Sequence, residues 1–595
     1  MLFRSGSESI WPYYYAGTMG LVMRDGINRL RHVKRYSGFH STICVSLAWN
    51  GFLAGTGRLA GVDPREMAVS DLVIIWGTNA ASTQINVMTH ALKARRDRGA
   101  KIVVIDTYRN GTAKQADLFI KVRPGTDGAL ACALMHILFR DGKADRSYLQ
   151  DFSDCPDRLE THLQNRDPQW ASTISGVPVS DIEALATLIG NTPKTFFRLG
   201  YGFTRSRNGA ANMHAALSLA TVAGSWQHEG GGAFHTNGAI YHWDKTLIEG
   251  LDCIDPAIRL LDQSRIGAVL TGDPQDLKGG PPVTALLIQN TNPMSVAPDL
   301  NRVHAGFARN DLFVCVHEQF MTETAEVADI ILPATMFMEH DDLYQAGGQQ
   351  HILLGPKIVE PPEGCRSNHE VICALAERLG AKHPGFELSP REIIDKTLGA
   401  SGWGSLEKLE RERWIDCQPD FRRAHYLDGF AHQDKRFHFS PDWHALEPQA
   451  FGPANTEMPP LPDHWDVIES ATEEMPFRLV TAPARHYLNS TFTETPTSKR
   501  RQSHPSAMLC LEDATALGIR NGDSIRLGNS RGELSIAAEV TDATQPGVVI
   551  VESIWPNHAF EGGKGINVLT GADPAAPIGG AAFHDNRIWI RPARA

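Results

Sequence analysis

Short apolar runs that end at glycine, proline or polar residues recur along the chain. The strands that they predict cover residues 71–76, 101–105, 196–199, 283–288, 312–316 and 330–332. Continuous runs of this kind are typical of strands buried on both faces of a parallel sheet. A helical stretch separates the first two runs, which predicts a strand–helix–strand crossover unit. The pattern therefore predicts an α/β protein.

The residues after two of these predicted strands are alike. The strand ending at Trp76 continues as Gly77-Thr78-Asn79, and the strand ending at Ile288 continues as Gln289-Asn290-Thr291-Asn292. Ligands of open α/β sheets bind at the carboxyl ends of the strands. The similarity therefore predicts two related halves, each able to hold one end of a nucleotide.

The last part of the chain has a different pattern. Short strands are predicted at residues 477–480, 524–527, 533–536 and 547–551, separated by turn sequences such as Asn521-Gly522-Asp523. Many short strands with such turns are typical of a β-barrel.

Charge and hydropathy exclude several classes of partner. The 595-residue chain has a formal net charge of −11, so it offers no basic excess to neutralise the phosphates of a nucleic acid. No apolar run reaches the roughly 18–20 residues that span a bilayer, and the N-terminus has no apolar core of signal-peptide length. We therefore expect no nucleic-acid partner, no membrane span and a cytoplasmic location.

The nine cysteines are dispersed, and no two form a C-x-x-C pair. Such a set is typical of reduced, mostly buried thiols rather than of a disulfide framework or a metal cluster.

The segment from His317 to Thr335, HEQFMTETAEVADIILPAT, closely resembles a motif of the molybdopterin oxidoreductase family, the dimethyl-sulfoxide-reductase-like enzymes. Further segments resemble the family in the same order along the chain. They are Gly77-Thr78-Asn79, the residues Asp106, Arg109, Thr112, Ala116 and Asp117, the run 123–130, Asn290 with Asn292 and Pro293, and the runs 481–491 and 567–570. The ordered series identifies the chain as a member more specifically than any single motif.

The resemblance implies an α/β, multi-domain molybdopterin-oxidoreductase fold with two related parallel-sheet nucleotide-binding domains and a C-terminal β-barrel. It implies that residues 1–43 begin a discontinuous α/β domain, which residues 244–465 continue. Residues 44–243 form a Rossmann-like α/β domain, and residues 466–595 form the molybdopterin dinucleotide-binding barrel.

The cofactor implied by the resemblance is bis-molybdopterin guanine dinucleotide with molybdenum, tungsten being the alternative. Pyrophosphates and guanines call for loops of backbone N–H groups and for acidic side chains. The implied cofactor-binding residues are Trp76, Gly77, Asn79, Asp106, Arg109, Thr126, Asp127, Gly200, Asn290, Asn292, Glu318, Thr322, His486, Asn489 and Asn567.

Several of these residues have a structural alternative. Asp106 could be an ordinary turn residue at a strand end, and Asp127 could be the N-cap of a helix. Glu318 and Glu323 are expected on the cofactor-facing loop, with helix capping as the alternative.

Cys44 is the implied metal ligand, because cysteine-ligated members carry a cysteine shortly before the first G-x-N strand, and a thiolate is a good soft ligand. A small buried apolar residue is the alternative. Ser41 and Ser46 leave a serine-ligated version open.

The resemblance implies a molybdenum-dependent oxidoreductase that performs two-electron oxygen-atom or hydride transfer on a small substrate. Formate oxidation is disfavoured, because Val45 follows Cys44 where formate dehydrogenases of the family have histidine, and because residues 234–238 lack the usual setting of the distant arginine of those enzymes. Arg205, His235 and His242 are polar residues of the expected pocket, but nothing assigns a catalytic role to them.

Most cysteine-ligated relatives begin with a C-x-x-C-x-x-x-C module that holds a four-iron cluster, and this sequence has no such set. A 4Fe-4S cluster is therefore not supported by this chain. The start could lie upstream, the module could be a separate chain, or the protein could work without a cluster. We expect an iron–sulfur electron-transfer protein or subunit as the redox partner. A signal peptide ahead of such a module would make the location periplasmic.

Two other functions compete with this interpretation. A cofactor-free scaffold subunit could share the fold, although it would not need Asp106, Asn292 and Asn489 together. An NAD-dependent dehydrogenase would need G-x-G-x-x-G after the first strand, which the sequence from Gly77 does not supply.

Overall fold

The computed structural model describes residues 6–17, 19–446 and 457–593. The described residues form two compact units. One unit contains the residues up to Ser41 and Ile240–Gln418, and the other contains Thr42–Ala239 and the residues from Pro419 on. The domain boundaries implied by the resemblance, after residues 43, 243 and 465, stay a prediction.

The strands, in chain order, are β1 (Ile10–Tyr14), β2 (Gly38–His40), β3 (Leu72–Trp76), β4 (Lys101–Asp106), β5 (Leu118–Lys121), β6 (Thr195–Leu199), β7 (Gly232–Phe234), β8 (Leu260–Asp262), β9 (Ala285–Gln289), β10 (Phe313–Glu318), β11 (Ile330–Pro333), β12 (Asp342–Tyr344), β13 (His351–Gly355), β14 (Trp414–Asp416), β15 (Phe477–Ala482), β16 (Ser506–Leu509), β17 (Ser524–Gly528), β18 (Glu533–Val540), β19 (Val548–Glu552) and β20 (Asn586–Pro592).

The α-helices are Leu21–Asp25, Ile27–Lys34, Ser46–Thr56, Ala80–Thr83, Ile85–Arg98, Asp127–Arg140, Arg146–Phe152, Pro156–Leu163, Pro168–Ser175, Val179–Gly190, Gly209–Val222, Thr246–Glu249, Ile266–Leu270, Pro293–Val296, Leu300–Phe307, Glu323–Glu326, Asn368–Arg378, Pro390–Ala400, Leu406–Glu412, Phe421–Ala424, Pro496–Arg501 and Leu511–Leu517. In the part of the chain that the structure describes, none of these helices combines the length and apolar character needed to cross a bilayer.

A five-stranded parallel sheet forms the core of the unit that contains Thr42–Ala239. Its strand order is β5-β4-β3-β6-β7, and every neighbouring pair is parallel. All residues of β3 and β6 are buried, as expected for strands covered on both faces. The strands predicted at residues 71–76, 101–105 and 196–199 are confirmed.

A four-stranded parallel sheet, in the order β1-β9-β10-β11, forms the core of the other unit. It confirms the predicted strands at residues 283–288, 312–316 and 330–332. The burial predicted for the last of these is wrong, because Ile330 and Ile331 are 45% and 40% exposed. Strand β11 lies at the edge of the sheet with β10 as its one neighbouring strand, but the edge position alone does not account for the exposure, since the other edge strand, β1, is buried. This unit also contains the parallel pair β2–β8 and the antiparallel sheet β12-β13-β14.

The C-terminal part forms a closed barrel in the order β15-β19-β16-β18-β17-β20. In β18 (Glu533–Val540) buried residues alternate with more exposed ones, whereas β15 and β19 are buried almost throughout. The predicted barrel is confirmed, and β16 and β20 complete it. The fold class expected from the sequence, with two parallel-sheet domains and a barrel, is therefore confirmed.

Candidate cofactor site

The loops after β3 and β6 approach each other closely at two glycines. Gly77 has a left-handed backbone with φ 67°, and its N–H donates to the carbonyl oxygen of Ile105 at 2.9 Å. The N–H of Gly200 donates to the carbonyl oxygen of Trp76 at 2.7 Å. A Cβ atom on Gly200 would lie 2.2 Å from the carbonyl oxygen of Gly77. Only glycine at position 200 permits this approach.

A hydrogen-bond network connects the loop after β3 with the segment that follows β4. The side-chain oxygen of buried Asn79 accepts a bond of 3.0 Å from the hydroxyl of Thr112. The oxygen of Thr112 accepts from the N–H of Ala81 at 2.9 Å. Five residues after Thr112, the carboxylate of Asp117 accepts from the N–H of Ile102 at 2.8 Å. The T-A-x-x-A-D segment thus holds both the loop and strand β4.

The other unit repeats this network. The side-chain oxygen of buried Asn292 accepts from the hydroxyl of Thr324 at 2.7 Å, and the oxygen of Thr324 accepts from the N–H of Met294 at 3.1 Å. The carboxylate of Asp329 accepts from the N–H of Val314 at 2.7 Å. Asn, Thr and Asp make the same bonds in both halves, with the Asn and Thr residues 33 positions apart in one half and 32 in the other, so the two halves expected from the sequence are related in structure.

The correspondence extends to the strand ends. Asn290 has a left-handed backbone with φ 60°, as Gly77 does at the equivalent position. Asp106 and Glu318 end the equivalent strands β4 and β10, and each carboxylate accepts from the N–H of the next residue, at 2.8 Å and 2.7 Å. The equivalent strands β4 and β10 therefore both end in an acidic residue.

The turn after β10 contains a capped helix. The hydroxyl oxygen of Thr322 accepts from the N–H of Ala325 at 3.3 Å, which makes Thr322 the N-cap of the helix Glu323–Glu326. The side-chain amide of Asn292 donates to Glu323 at 2.8 Å. Capping, which the sequence left as an alternative for Glu318 and Glu323, is performed by Thr322 instead.

Asp106 and Asp127 are carboxylates whose ionised forms are disfavoured by burial. Burial raises the pKa of Asp106 to about 6, although Thr107 and Asn110 donate to it at 2.8 Å each. Burial also raises the pKa of Asp127 to about 6, although the indole N–H of Trp76 donates to it at 2.8 Å. The charge of Asp127 contributes to the raised pKa of Asp106, so these carboxylates interact electrostatically.

Asp127 is not the N-cap that the sequence allowed. The N-cap of the helix Asp127–Arg140 is Thr126, and Asp127 is its first residue. The hydroxyl of Thr126 donates to the carbonyl oxygen of Arg123 at 2.7 Å.

The side chain of Arg109 is exposed, and the backbone N–H of Arg109 donates to the carbonyl oxygen of Ala543 at 2.7 Å.

The remaining candidate residues lie in loops of the barrel. Asn567 is buried, and its side-chain oxygen accepts from the hydroxyl of Thr570 at 3.0 Å. Asn489 is exposed and has a left-handed backbone with φ 52°. Partial burial and two nearby arginines lower the pKa of His486.

Cys44 lies in the irregular segment before the helix Ser46–Thr56, and it is half-buried. Its carbonyl oxygen accepts from the hydroxyl of Thr204 at 2.7 Å. Of the two serine alternatives, Ser46 is buried and its hydroxyl donates to the carbonyl oxygen of Gly579 at 3.1 Å. Ser41 belongs to the other unit.

Tyr201, which follows β6, lies near Cys44, and His235, which follows β7, lies next to Tyr201. Burial raises the pKa of Tyr201, and the nearby Cys44 adds to the shift. The ring of Tyr201 lies 4.8 Å from the ring of His235. The Nδ1–H of His235 donates to the carbonyl oxygen of Leu199 at 2.9 Å, which leaves the lone pair on Nε2. Burial lowers the pKa of His235 to about 3, so this imidazole is neutral.

Sequence reasoning placed Arg205 and His235 in this region, and it missed Tyr201 and Thr204. The pattern that could have indicated them is the polar run directly after β6, at the carboxyl edge of the sheet. His242 belongs to the other unit, where its ring lies 4.3 Å from that of Trp403.

Asp252, Cys253 and His383 are a second group of metal-ligating residue types, with ligand atoms within 4.8 Å of one another. The Nδ1 atom of His383 accepts from the N–H of Gly385 at 3.0 Å, so its Nε2–H is the donor to Asp252 at 3.1 Å. Both ring nitrogens are therefore engaged, and this group does not offer an imidazole lone pair to a metal.

Two observations show that the residues present suit a guanine-containing cofactor. Asp106 and Asp127 are half-buried acceptors, and the N–H groups of guanine are donors that would stabilise their ionised forms. Among the described residues, the buried side-chain amide of Asn237 and the Nε2 atom of His235 have no hydrogen-bond partner. Such buried polar groups are costly unless a ligand or water pairs with them.

Comparison with known proteins identifies the family. Residues 41–378 match the family model described as molybdopterin oxidoreductase, and residues 477–587 match the one described as molydopterin dinucleotide binding domain. The probable oxidoreductase YoaE of Bacillus subtilis is 33% identical over 596 residues, which cover 99% of this chain and 85% of that protein.

Two more distant proteins share most of the chain's length. The F420-dependent formate dehydrogenase 1 subunit alpha of Methanococcus maripaludis is 24% identical over 579 residues, covering 90% of this chain and 79% of that protein. The solved structure of acetylene hydratase from Pelobacter acetylenicus matches with a TM-score of 0.80 at 16% identity, covering 100% of this chain and 87% of that one. This likeness concerns the fold. The family models and the similarity to YoaE show that the chain belongs to the molybdopterin oxidoreductase family.

Proposed function

We propose that this protein binds bis-molybdopterin guanine dinucleotide and catalyses two-electron oxygen-atom or hydride transfer on a small substrate. The observation that carries this proposal is the pair of carboxylates Asp106 and Asp127, each with a pKa raised to about 6. Their raised pKa shows that the donors within the chain do not fully stabilise the ionised forms, and a guanine base presents adjacent N–H groups that would add to them.

The residues of each half have a defined part in this proposal. Asp106 and Asp127 bind one guanine, with Trp76 orienting Asp127 through its indole N–H. Glu318 binds the other guanine, because it ends the strand equivalent to β4. Backbone N–H groups of the Gly77 and Asn290 loops lie next to these acids and suit pyrophosphate oxygens. The remaining residues of the proposed set are Asn79, Arg109, Thr126, Gly200, Asn292, Thr322, His486, Asn489 and Asn567.

Cys44 is the proposed protein ligand of the metal, which is molybdenum or tungsten. The bound metal supplies the two-electron redox chemistry. The neutral imidazole of His235 offers a lone pair on Nε2 that can accept a hydrogen bond, and its pKa of about 3 argues against a role as a proton acceptor.

The substrate class stays open to experiment. One relative is named a formate dehydrogenase, but the residue after Cys44 is Val45, which disfavours formate for this chain. The acetylene hydratase shares the fold, so the fold alone does not define the reaction. The relative named as a subunit alpha supports a further subunit as partner, and we propose that an iron–sulfur protein or subunit exchanges electrons with this chain. The cytoplasmic location stays a prediction.

Metal and nucleotide analysis of the purified protein tests the proposal. After expression in a host that makes the pterin cofactor, we expect molybdenum or tungsten together with two guanine nucleotides per metal atom. The Cys44→Ser variant should keep the nucleotides and lose a sulfur ligand in the X-ray absorption spectrum. Protein that carries neither metal nor guanine nucleotide would refute the oxidoreductase proposal and favour a scaffold.

A further inference from the structure

The segment that contains Cys44 has little support from regular secondary structure. It is irregular up to the start of the helix Ser46–Thr56, and the N-cap residue of that helix, Val45, makes no side-chain capping bond. The direction of the Cys44 side chain therefore depends on contacts that other parts of the unit make with this segment.

Two of those contacts come from the loop after β6, in addition to the bond from Ser46 to Gly579. The hydroxyl of Thr204 donates to the carbonyl oxygen of Cys44 at 2.7 Å, and the guanidinium of Arg205 donates to the carbonyl oxygen of Ile43 at 3.3 Å. Two consecutive carbonyl groups of the irregular segment are thus held by two consecutive side chains.

The loop that provides these bonds is itself firmly placed. Thr204 is buried, and the N–H of Gly202 donates to the carbonyl oxygen of Gly77 at 2.8 Å. A Cβ atom on Gly209 would lie only 1.9 Å from the carbonyl oxygen of Phe203, so the end of the loop packs tightly against the next helix. The loop after β6 is therefore fixed relative to the sheet, and its hydrogen bonds hold the Cys44 segment relative to the sheet.

We infer that Thr204 is a positioning residue for Cys44: its hydroxyl fixes the Cys44 peptide and with it the direction of the thiol. The role of Cys44 as metal ligand belongs to the proposed function, whereas the bond from Thr204 is a property of the polypeptide. Breaking it releases the segment and lets the thiol sample other directions.

The reactivity of Cys44 in the metal-free protein tests this inference without any metal. The rate of alkylation by iodoacetamide is followed for the Cys44 peptide by mass spectrometry. Thr204→Val, which replaces the hydroxyl by a methyl group, should raise this rate about fivefold, the factor expected for one net hydrogen bond of about 1 kcal/mol. Thr204→Ser keeps the donor and should stay within about twofold of the wild type, since the donor–acceptor bond is retained.

Two controls separate positioning from general destabilisation. Thr195 lies at the other end of β6, is buried, and donates to the carbonyl oxygen of Thr192 at 2.5 Å, so Thr195→Val removes a comparable bond away from Cys44. Cys132 is completely buried and reports unfolding of the same unit. Thr195→Val should leave the Cys44 rate unchanged, and Cys132 should stay protected in Thr204→Val.

The inference is overturned if Thr204→Val labels Cys44 at the wild-type rate, if Thr204→Ser labels it as fast as Thr204→Val, or if Cys132 becomes labelled together with Cys44. In metal-loaded protein, Thr204→Val should broaden the metal–sulfur distances in the X-ray absorption spectrum, and Thr204→Ser should not. Absence of metal would count against the proposed function alone, because the alkylation result does not depend on it.

Discussion

The substitution Asp127→Asn separates the charge of this side chain from its hydrogen bond. The amide keeps an oxygen that can accept from the indole of Trp76, which donates to Asp127 at 2.8 Å. The charge that burial disfavours is removed. Burial raises the pKa of Asp127 from 3.8 to about 6, and each pKa unit corresponds to about 1.4 kcal/mol. The ionised carboxylate therefore destabilises the metal-free protein by about 3 kcal/mol at most.

The size of this destabilisation depends on pH in a defined way. The folded protein binds the Asp127 proton more tightly than the unfolded chain does, because the pKa is raised on folding. Below pH 4 the carboxyl is protonated in both states, and it has no charge-related cost. Between pH 4 and about 6 the cost develops as the pH rises, and above about 6 it is constant.

Thermal unfolding of the metal-free protein at pH 8 and at pH 4 measures the difference. At pH 8 we expect Asp127→Asn to unfold a few degrees higher than the wild type, from a stabilisation of about 1–3 kcal/mol. At pH 4 the two proteins should unfold together. Binding of a guanine nucleotide at pH 8 should weaken by roughly tenfold or more, because a charged acceptor is lost. Equal shifts at both pH values, or a less stable variant at pH 8, would refute the assignment of a desolvated carboxylate.

Three further predictions use other parts of the site. Titration calorimetry with guanosine, which has no titratable phosphate, should show weaker binding to the metal-free protein as the pH falls through about 6, since Asp106 and Asp127 become protonated there. Equal affinity at pH 5 and 8 would contradict their role as acceptors. Gly200→Ala should lower the unfolding temperature through a destabilisation of about 1–3 kcal/mol, because its Cβ would lie 2.2 Å from the carbonyl oxygen of Gly77. Gly348→Ala is the control: its Cβ meets no atom within 4 Å, and the unfolding temperature should not change. Asn79→Ala and Asn292→Ala should each lower the free energy of unfolding in urea by about 1–3 kcal/mol, because each leaves a threonine hydroxyl without its acceptor. A loss of stability in only one of the two variants would argue against equivalent loops.

The fold could be predicted well wherever burial on both faces makes a strand a continuous apolar run. Strand β1 escaped prediction because its sequence, Ile10-Trp11-Pro12-Tyr13-Tyr14, contains a proline, which is unusual inside a sheet. The structure accommodates Pro12 because β1 is an edge strand of its sheet, with β9 as its one neighbour. Being an edge is a property of the topology, and a local sequence pattern does not contain it.

The candidate site could be predicted as a set of loops, but not as a set of contacts. The position of Thr204 shows the reason. Its hydroxyl bonds to Cys44, a residue 160 positions earlier in the chain, and no spacing or periodicity relates the two. The raised pKa of Asp127 likewise depends on burial by distant parts of the chain, and its place in the R-P-G-T-D run indicated only an acidic residue near a helix start.

The equivalence of Asp106 and Glu318 leads to a test of the two-halves interpretation. The T-A-x-x-A-D segments recur because Thr112 and Thr324 make the same backbone-positioning bonds. The acids that end β4 and β10 are not needed for those bonds, so their recurrence favours a shared task, which we propose is binding one guanine each.

Glu318→Gln should then abolish one of two guanosine monophosphate sites in the metal-free protein and leave the other unchanged. Asp127→Asn should do the reverse, and the double variant should bind neither. Glu326→Gln, an exposed residue of the same loop region, is the matched control and should keep both sites. Titration calorimetry gives the number of sites directly. If either single variant loses both sites, or if Glu318→Gln keeps both at wild-type affinity, then the two acids do not serve separate nucleotides, and the repeated network would be a folding device only.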